Sequence, residues 1–479
     1  MTDVFARRPG GEPGPRFYAA GVSPHLSVPE VTLPALLDEA ARGHGGRTAL
    51  SHRGRRTGFR ALHRSVLRVA TNLERLGVRR GTWLLLLLPD CPELVVLYRA
   101  AWRIGAVAVP WDPTDHGAAA AALAARAGSA VAVVPEERAA EVAGRWGCVA
   151  VVTVGVAVPP RARPSWAVDD AGKESGTAGS SRVRVASRPS ATAVVVAYRD
   201  LDRRRAGTLP EVAHGQWSRD PQADDIAAVL HRREGAPIVL CHRHLVAAAH
   251  QLASWYPQLA GGRARMLSLV PLWTVRGLVL GALVAPLVGA RVVLVVDPSP
   301  ATALRAARRA APTVLAASPA TLRGLLARPA HEHEALATIR TVVTAPLGTV
   351  TGARLRAVVD ARVIAGYGPA AACGVALANP PTADARSGTA GLALPGTQVR
   401  IAVEGTLAAD ALPGHAGELL LRGPQVSRLR VGGYQDALPG GWVRTGRLEL
   451  RGPDGFVTLL DDDRADPDGG GPDGAASAR

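Results

Sequence analysis

The run from Trp83 to Leu88 constrains this chain most: six consecutive apolar residues, closed by Pro89. A strand with one wet face alternates apolar and polar residues. Unbroken apolarity over strand length is the pattern of a parallel strand covered on both faces. Parallel strands need crossovers, and the flanking sequence supplies them. Pro92 to Ile104 reads as a helix with proline in its first turn, and Ala106 to Pro110 as the next strand. A further helix is expected over Ala118 to Ala127 and a strand over Ala130 to Val134. This β-α-β rhythm predicts a doubly wound sheet.

The rhythm has a prelude and a sequel. Thr32 to Ala41 reads as a helix, and Arg60 to Leu76 as an amphipathic helix ended by Gly77. Beyond a Pro/Ser/Gly/Arg-rich stretch, strands are expected at Ile226 to Leu230, Met266 to Val270 and Val292 to Val296, with a helix over Leu278 to Leu287. Helices over Ala301 to Ala310 and Pro319 to Leu326 then alternate with strands over Thr313 to Leu315 and Thr341 to Val343. After Gly391 short strands between Gly/Pro turns take over, at Gln398 to Val403, Gly417 to Leu421 and Phe456 to Leu459, which predicts a small β subdomain.

Aromatic residues make up only 4% of the 479 residues, so Ala, Val and Leu must fill the core. The formal net charge is +16, and Lys173 is the single lysine among 56 basic residues. The arginines are scattered rather than gathered into a basic arm. A diffuse positive surface favours anionic lipid headgroups or acyl-coenzyme A phosphates without selecting among them. No nucleic-acid recognition module is present, so no specific nucleic-acid partner is expected. Cys91, Cys148, Cys241 and Cys373 have no metal-ligand spacing and are too few for a disulfide framework, which fits a reducing cytoplasm. The first residues carry no apolar signal core, and the longest apolar stretch, Leu278 to Ala290, is too short to span a bilayer.

Arg362 to Pro380 reads RVIAGYGPAAACGVALANP. Val363-Ile364-Ala365 has the look of a buried strand. Gly366 and Gly368 bracket Tyr367, and glycines on both sides let the backbone turn sharply and a flat ligand approach. Two readings stand open: a strand-end turn with a core tyrosine, or a ring presented for stacking against a base.

This stretch resembles a motif of AMP-forming acyl-adenylate ligases: Gly-Tyr-Gly, a variable residue, then Thr-Glu, followed in long-chain fatty-acid–coenzyme A ligases by Ala-Asn-Pro. Gly366, Tyr367, Gly368, Ala378, Asn379 and Pro380 match, whereas Ala370 and Ala371 stand where Thr-Glu would. Leu76 to Thr114 also follows the first half of these ligases. Thr344-Ala345-Pro346-Leu347 matches their adenine-flanking segment in part, and Arg464 matches the hinge arginine. Within Leu267 to Gly281, Trp273 and Thr274 fall at the mouth of the family's acyl tunnel; ordinary core is an equal reading.

Other motif positions have changed. The family's phosphate loop is rich in Gly, Ser and Thr and carries a lysine. Here it is His231 to Pro237, with Gly235 and Pro237 kept but no hydroxyl residue and no lysine. The downstream anchor survives as Ile238 to Leu245. A second stretch, Ser175 to Arg182, mimics the loop but lies far upstream of that anchor. Trp442 to Gly446 matches Gly-Trp-Leu-Arg-Thr-Gly-Asp, with Arg447 in place of the aspartate that accepts the ribose hydroxyls; arginine has no acceptor.

The resemblance covers about residues 17 to 466. It implies an α/β fold, the large N-terminal domain of adenylate-forming ligases: two doubly wound α/β subdomains plus a small distorted β-barrel. The expected organisation is a flexible N-terminus at 1–30, paired α/β subdomains over 31–390 with a flexible insertion at 155–191, a small β subdomain over 391–464 and a disordered tail at 465–479. The family's small C-terminal domain is expected to be absent. The family uses ATP and Mg²⁺. The altered positions imply that adenylation is lost here, with no cofactor, no metal and no catalytic residue expected. What is left is binding of a long-chain acyl ligand or a partner protein, and peripheral contact with an anionic membrane. The alternatives are a divergent ligase that needs a C-terminal domain in trans, and a basic surface-binding or decayed protein.

Overall fold

A computed structural model describes residues 22–23, 26–114, 130–146, 148–156, 194–202, 220–231, 236–381, 386, 388–403, 409–431, 433–434 and 438–460. The expected flexible N-terminus, most of the insertion, the helix over Ala118 to Ala127 and the tail fall wholly or largely outside these residues.

The run at Trp83 forms the strand Trp83–Leu86 at the heart of a nine-stranded sheet. Val107–Pro110 lies parallel on one side and Ala130–Pro135 on the other, with Leu85 opposite both Val109 and Ala132. Leu84, Leu85 and Leu86 are fully buried, as unbroken apolarity requires. Ala150–Val154 and Val194–Ala197 extend the sheet in parallel. On the other flank, Ile226–Leu230 joins next to Val107–Pro110, and Ile238–Cys241 follows antiparallel. The crossover helix Pro92–Arg103 covers this sheet with Leu94 to Trp102 inward.

A second nine-stranded sheet is assembled mainly from later residues. Its parallel core runs Arg362–Tyr367, Thr341–Thr344, Val314–Ala316, Arg265–Ser268, Arg291–Leu294 and Thr48–His52. The last of these belongs to an N-terminal hairpin, Thr48–His52 with Arg55–Gly58, which crosses over to pair Leu50 with Val292.

The expected helix over Leu278 to Leu287 differs in detail. Leu278–Val284 is wound as a π-helix and only Ala285–Leu287 is α-helical. Pro286 accounts for this, because it has no N–H for the preceding turn and its ring crowds the carbonyl four residues back.

The segment after Gly391 divides. Gln398–Ala402, Ala416–Arg422, Val443–Arg451 and Val457–Leu459 form a four-stranded antiparallel sheet. Leu392–Ala393 instead closes one edge of the second large sheet. Leu429–Arg430 pairs with Ile238 at the edge of the first. No described helix is long and apolar enough to cross a membrane.

Candidate functional site

The strand Arg362–Tyr367 lies between Thr341–Thr344, parallel with Thr344 opposite Ala365, and Leu377–Ala378, antiparallel with Tyr367 opposite Leu377. Thr344-Ala345-Pro346 and Gly366-Tyr367-Gly368 therefore leave the carboxyl ends of neighbouring parallel strands, where open α/β sheets take their ligands. One sequence expectation needs correction here, and of the two readings left open for Tyr367 the packed ring is the one observed. The chain does not turn at the Gly-Tyr-Gly triplet; Gly366 and Tyr367 belong to the strand, and neither Gly366 nor Gly368 has positive φ. The glycines serve close approach. A Cβ on Gly368 would sit 2.5 Å from the Ala376 nitrogen, and one on Gly366 3.2 Å from the Leu377 oxygen. The Tyr367 side chain is 1% exposed, so its ring is a packed surface rather than one open for stacking.

Behind the strand lies Arg276, 8% exposed, whose Nη1 donates to the Gly366 carbonyl at 3.0 Å. A tight turn carries it. Thr274 Oγ1 donates to the Pro271 oxygen at 2.7 Å and accepts from the Gly277 nitrogen at 3.2 Å. The turn is fixed at its base: Asp90 accepts the Leu272 N–H at 2.8 Å, and Tyr98 donates to the Leu272 oxygen at 2.9 Å. Burial raises the Asp90 pKa to about 7, and the Leu272 N–H works against that shift. Trp273 and Thr274 are half-buried beside this pinned residue.

After Tyr367 the chain makes a short 3₁₀ turn, Ala370–Ala372, and reverses through Cys373 and Gly374, both at positive φ. Ala370 is half-buried. Ala371 is 3% exposed, and its carbonyl accepts from the Ser427 nitrogen at 2.7 Å. Where the family's acid would stand there is a packed methyl. Asn379 explains the Ala-Asn-Pro match: its Nδ2 donates to the Arg386 and Thr389 carbonyls at 3.1 Å, and its Oδ1 accepts from the Arg386 nitrogen at 2.7 Å. It clamps the loop that re-enters the sheet.

The small sheet brings Arg447 to this region. Glu418 pairs with Leu448 and Leu420 with Arg444, so Leu419 alone opposes Thr445 to Arg447. The bulge has Gly446 at φ 70° and re-aims the residue after it. Glu418 holds the bulge. It accepts from Arg444 Nη2 at 2.7 Å and from the Gly446 nitrogen at 3.2 Å. Two residues on, Glu449 is 1% exposed. Burial pushes its carboxyl well above the ordinary range, opposed by the Arg447 guanidinium and by contact with the Tyr367 hydroxyl. Neither Glu449 oxygen completes a well-formed hydrogen bond.

Of the phosphate-loop counterpart, Arg232 to Gly235 lies outside the described residues, as do Ser175 to Arg182 and Arg464. His231 stacks on Trp111 with centroids 4.0 Å apart. The Pro237 carbonyl accepts from the Val431 nitrogen at 3.1 Å. The helix His242–Trp255 starts just beyond. Burial lowers the pKa of both His242 and His244 to about 4, so both are neutral near pH 7. Each is spent on structure: His242 Nδ1 accepts from the Leu33 nitrogen at 3.2 Å, and His244 Nδ1 from the Cys241 nitrogen at 3.0 Å.

Among the described residues, some of the positions singled out in the sequence gather from three places: Ala345 and Pro346, the Tyr367 strand with its alanine turn, and Arg447. Arg276 and Glu449 complete the group, and sequence reasoning missed both. Among the described residues, this group does not fit ATP with its metal. A buried methyl replaces the acid, a donor-only guanidinium replaces the ribose acceptor, and a buried carboxyl group touches Tyr367.

The sequence model of the family described as AMP-binding enzyme matches residues 37–429. The chain belongs to that family. It is 24% identical over 467 residues to a long-chain-fatty-acid–CoA ligase of Bacillus subtilis (strain 168), an alignment covering 93% of this chain and 79% of that protein. A long-chain-fatty-acid–CoA ligase of Yersinia pestis is 26% identical over 230 residues, covering 47% of this chain and 41% of its own length. Among solved structures, a long-chain-fatty-acid-CoA ligase from Archaeoglobus fulgidus superposes with a TM-score of 0.73 at 18% identity, covering 93% of this chain and 86% of that one. The fold is that of the acyl-CoA ligases.

Proposed function

We propose that this chain is a member of the acyl-adenylate ligase family that has lost adenylate formation and acts by binding a long-chain acyl ligand or a partner protein. The observation that carries this reading is the Tyr367 neighbourhood. Its buried acid, Glu449, sits against the tyrosine hydroxyl, where ionisation is opposed by burial. Ala371 offers no ligand to a cation, and Arg447 offers no acceptor to a ribose. Adenylation depends on stabilising charge as it develops at a phosphoryl group. Losing one such contact costs about a hundredfold or more in rate, and several contacts are altered together.

A second reading, an active ligase of divergent design, draws on the retained frame: the Glu418–Arg444 pair and the bulge that aims residue 447 at this site. One experiment separates the two. The purified protein is titrated calorimetrically with ATP·Mg²⁺, an acyl-AMP analogue and a long-chain acyl-coenzyme A, and pyrophosphate release is followed in parallel. Acyl binding with no pyrophosphate release and no Mg²⁺-dependent ATP binding supports the first reading. Mg²⁺-dependent ATP binding with pyrophosphate release overturns it in favour of the second.

A further inference from the structure

A cavity of about 510 Å³ opens toward the far edge of the second large sheet, with three strands between its floor and Arg362–Tyr367. Its floor is the strand Arg291–Leu294 and its continuation, with Val293 and Val295 buried. One wall is the Thr48–Gly58 hairpin, which contributes Ser51, Arg53 and Arg56; Ser51 pairs with Val293 on one side and Arg56 on the other. The opposite wall is the helix Pro300–Ala310. Thr302, Arg305, Ala306 and Arg309 fall on one stripe of it, at helical spacing, and all four line the cavity.

Five arginines therefore border one space: Arg53 and Arg56 from the hairpin, Arg305 and Arg309 from the helix, and Arg291 from the floor. Among the described residues none of the five forms an ion pair. The one acid that lines the cavity, Asp297, is held at the start of the helix. Its carboxylate accepts from the Ser299 nitrogen at 3.0 Å, the Ser299 hydroxyl at 2.8 Å and Thr302 Oγ1 at 3.3 Å, and Arg305 Nη2 donates to Thr302 Oγ1 at 2.8 Å. Arg291 is anchored through Nη2 to the Ala310 oxygen at 2.9 Å, and its buried Nε has no partner. Its pKa is lowered by burial first, then by Arg56 and Arg265. Like charges held around a partly enclosed space repel. A guanidinium fork is matched to phosphoryl oxygens.

We propose that this cavity binds a small polyphosphate, two or more linked phosphoryl groups gripped between Arg53 and Arg56 on one wall and Arg305 and Arg309 on the other. Arg291 lies at its base. Val293 and Val295 on the floor and Ala306 on the helix wall offer an apolar surface to an organic substituent. The phosphate chain belongs either to a nucleoside polyphosphate or to an inorganic polyphosphate. The site is independent of the Tyr367 region and of whether adenylation survives.

The test is calorimetric titration of the full chain, in magnesium-free buffer, with sodium tripolyphosphate and with ATP. It is run on the parent protein, on Arg305→Glu/Arg309→Glu, on Arg53→Glu/Arg56→Glu, and on Arg323→Glu/Arg354→Glu, which makes the same charge change on exposed helix positions away from the cavity. Both cavity variants are expected to weaken tripolyphosphate binding about tenfold or more while the control pair leaves it nearly unchanged. Equal affinity for the two ligands assigns the phosphate chain alone; tighter ATP binding, lost in the cavity variants, assigns the nucleoside form. No tripolyphosphate binding by the parent, or equal weakening in all three variants, overturns the proposal.

Discussion

Arg276 donates through Nη1 to the carbonyl oxygen of Gly366 at 3.0 Å and so ties a turn on one segment to the strand that carries Tyr367. The contact is buried, and it lies beside the point where Gly366 pairs with Ala378 in the antiparallel register. Arg276→Leu leaves that carbonyl without its charged donor. Chemical denaturation should show a loss of about 1–3 kcal/mol. An unchanged midpoint would mean that the contact adds nothing to the frame.

Gly368 of the Gly-Tyr-Gly triplet and Gly348, just before the helix Thr349–Val358, make a contrasting pair of predictions. Gly368→Ala places a methyl within 2.5 Å of the Ala376 nitrogen and should cost about 1–3 kcal/mol. Gly348→Ala meets nothing within 4 Å at a φ of −60° and should shift the midpoint by about 0.5 kcal/mol or less. Similar losses at both positions would refute close approach as the reason for glycine at 368.

Asp90 gives a pH dependence whose sign can be worked out. Its pKa in the folded protein is raised to about 7 from 3.8. Between those values the folded protein keeps a proton that the unfolded chain has released, so this group's contribution to stability falls as pH rises through that window. Asp90→Asn keeps an oxygen for the Leu272 N–H and cannot ionise. The variant should match the parent near pH 4 and melt several degrees higher at pH 8. A melting difference that does not change with pH would show that Asp90 is not the titrating group.

Glu449 behaves in the same direction, and Tyr367 modulates it. The tyrosine contact favours the ionised carboxyl, so Tyr367→Phe should push the Glu449 pKa higher still. In a Glu449→Gln background the stability lost with the tyrosine hydroxyl should change. A double-mutant cycle of Tyr367→Phe and Glu449→Gln reads the coupling directly, and a zero coupling term would remove Glu449 from the site.

The strands legible in the sequence were those that need no partner to explain them. Trp83–Leu86 and Ala130–Pro135 are unbroken apolar runs, and a strand buried on both faces has no other composition available. The strand Val443–Arg451 went unread because it carries Arg444, Arg447, Glu449 and Arg451, and because its bulge breaks the two-residue period. The helix Thr349–Val358 was missed for a related reason: among its residues only Gly352 and Leu355 are buried, so no apolar stripe marks it.

At the candidate site the motif residues were legible and their reasons were not. Gly366 and Gly368 stood out by spacing, but close approach to the returning strand is a property of the pairing with residues 375 to 378. For Thr274 the sequence leaves pocket lining and ordinary core as equal readings, and its hydroxyl is committed to the Pro271 carbonyl and the Gly277 amide. A lone charge inside the apolar stretch from Leu267 to Gly281 was the available hint for Arg276. Glu449 had no hint, since its importance comes from contact with a tyrosine on a different sheet.

The crossing of the Thr48–Gly58 hairpin also sets an order of events at the ribosome. Leu50 finds its neighbour only when Val292 has been made, whereas the sheet around Trp83–Leu86 draws on residues that arrive much sooner. At about 5–20 residues per second, the hairpin waits roughly ten to fifty seconds with one edge unmatched. During that interval a nascent chain exposes a backbone edge to any strand that passes, including the same segment of a neighbouring nascent chain. The two exposed arginines at 55 and 56, on the outer strand, are the charges that keep its other edge from being an equal invitation.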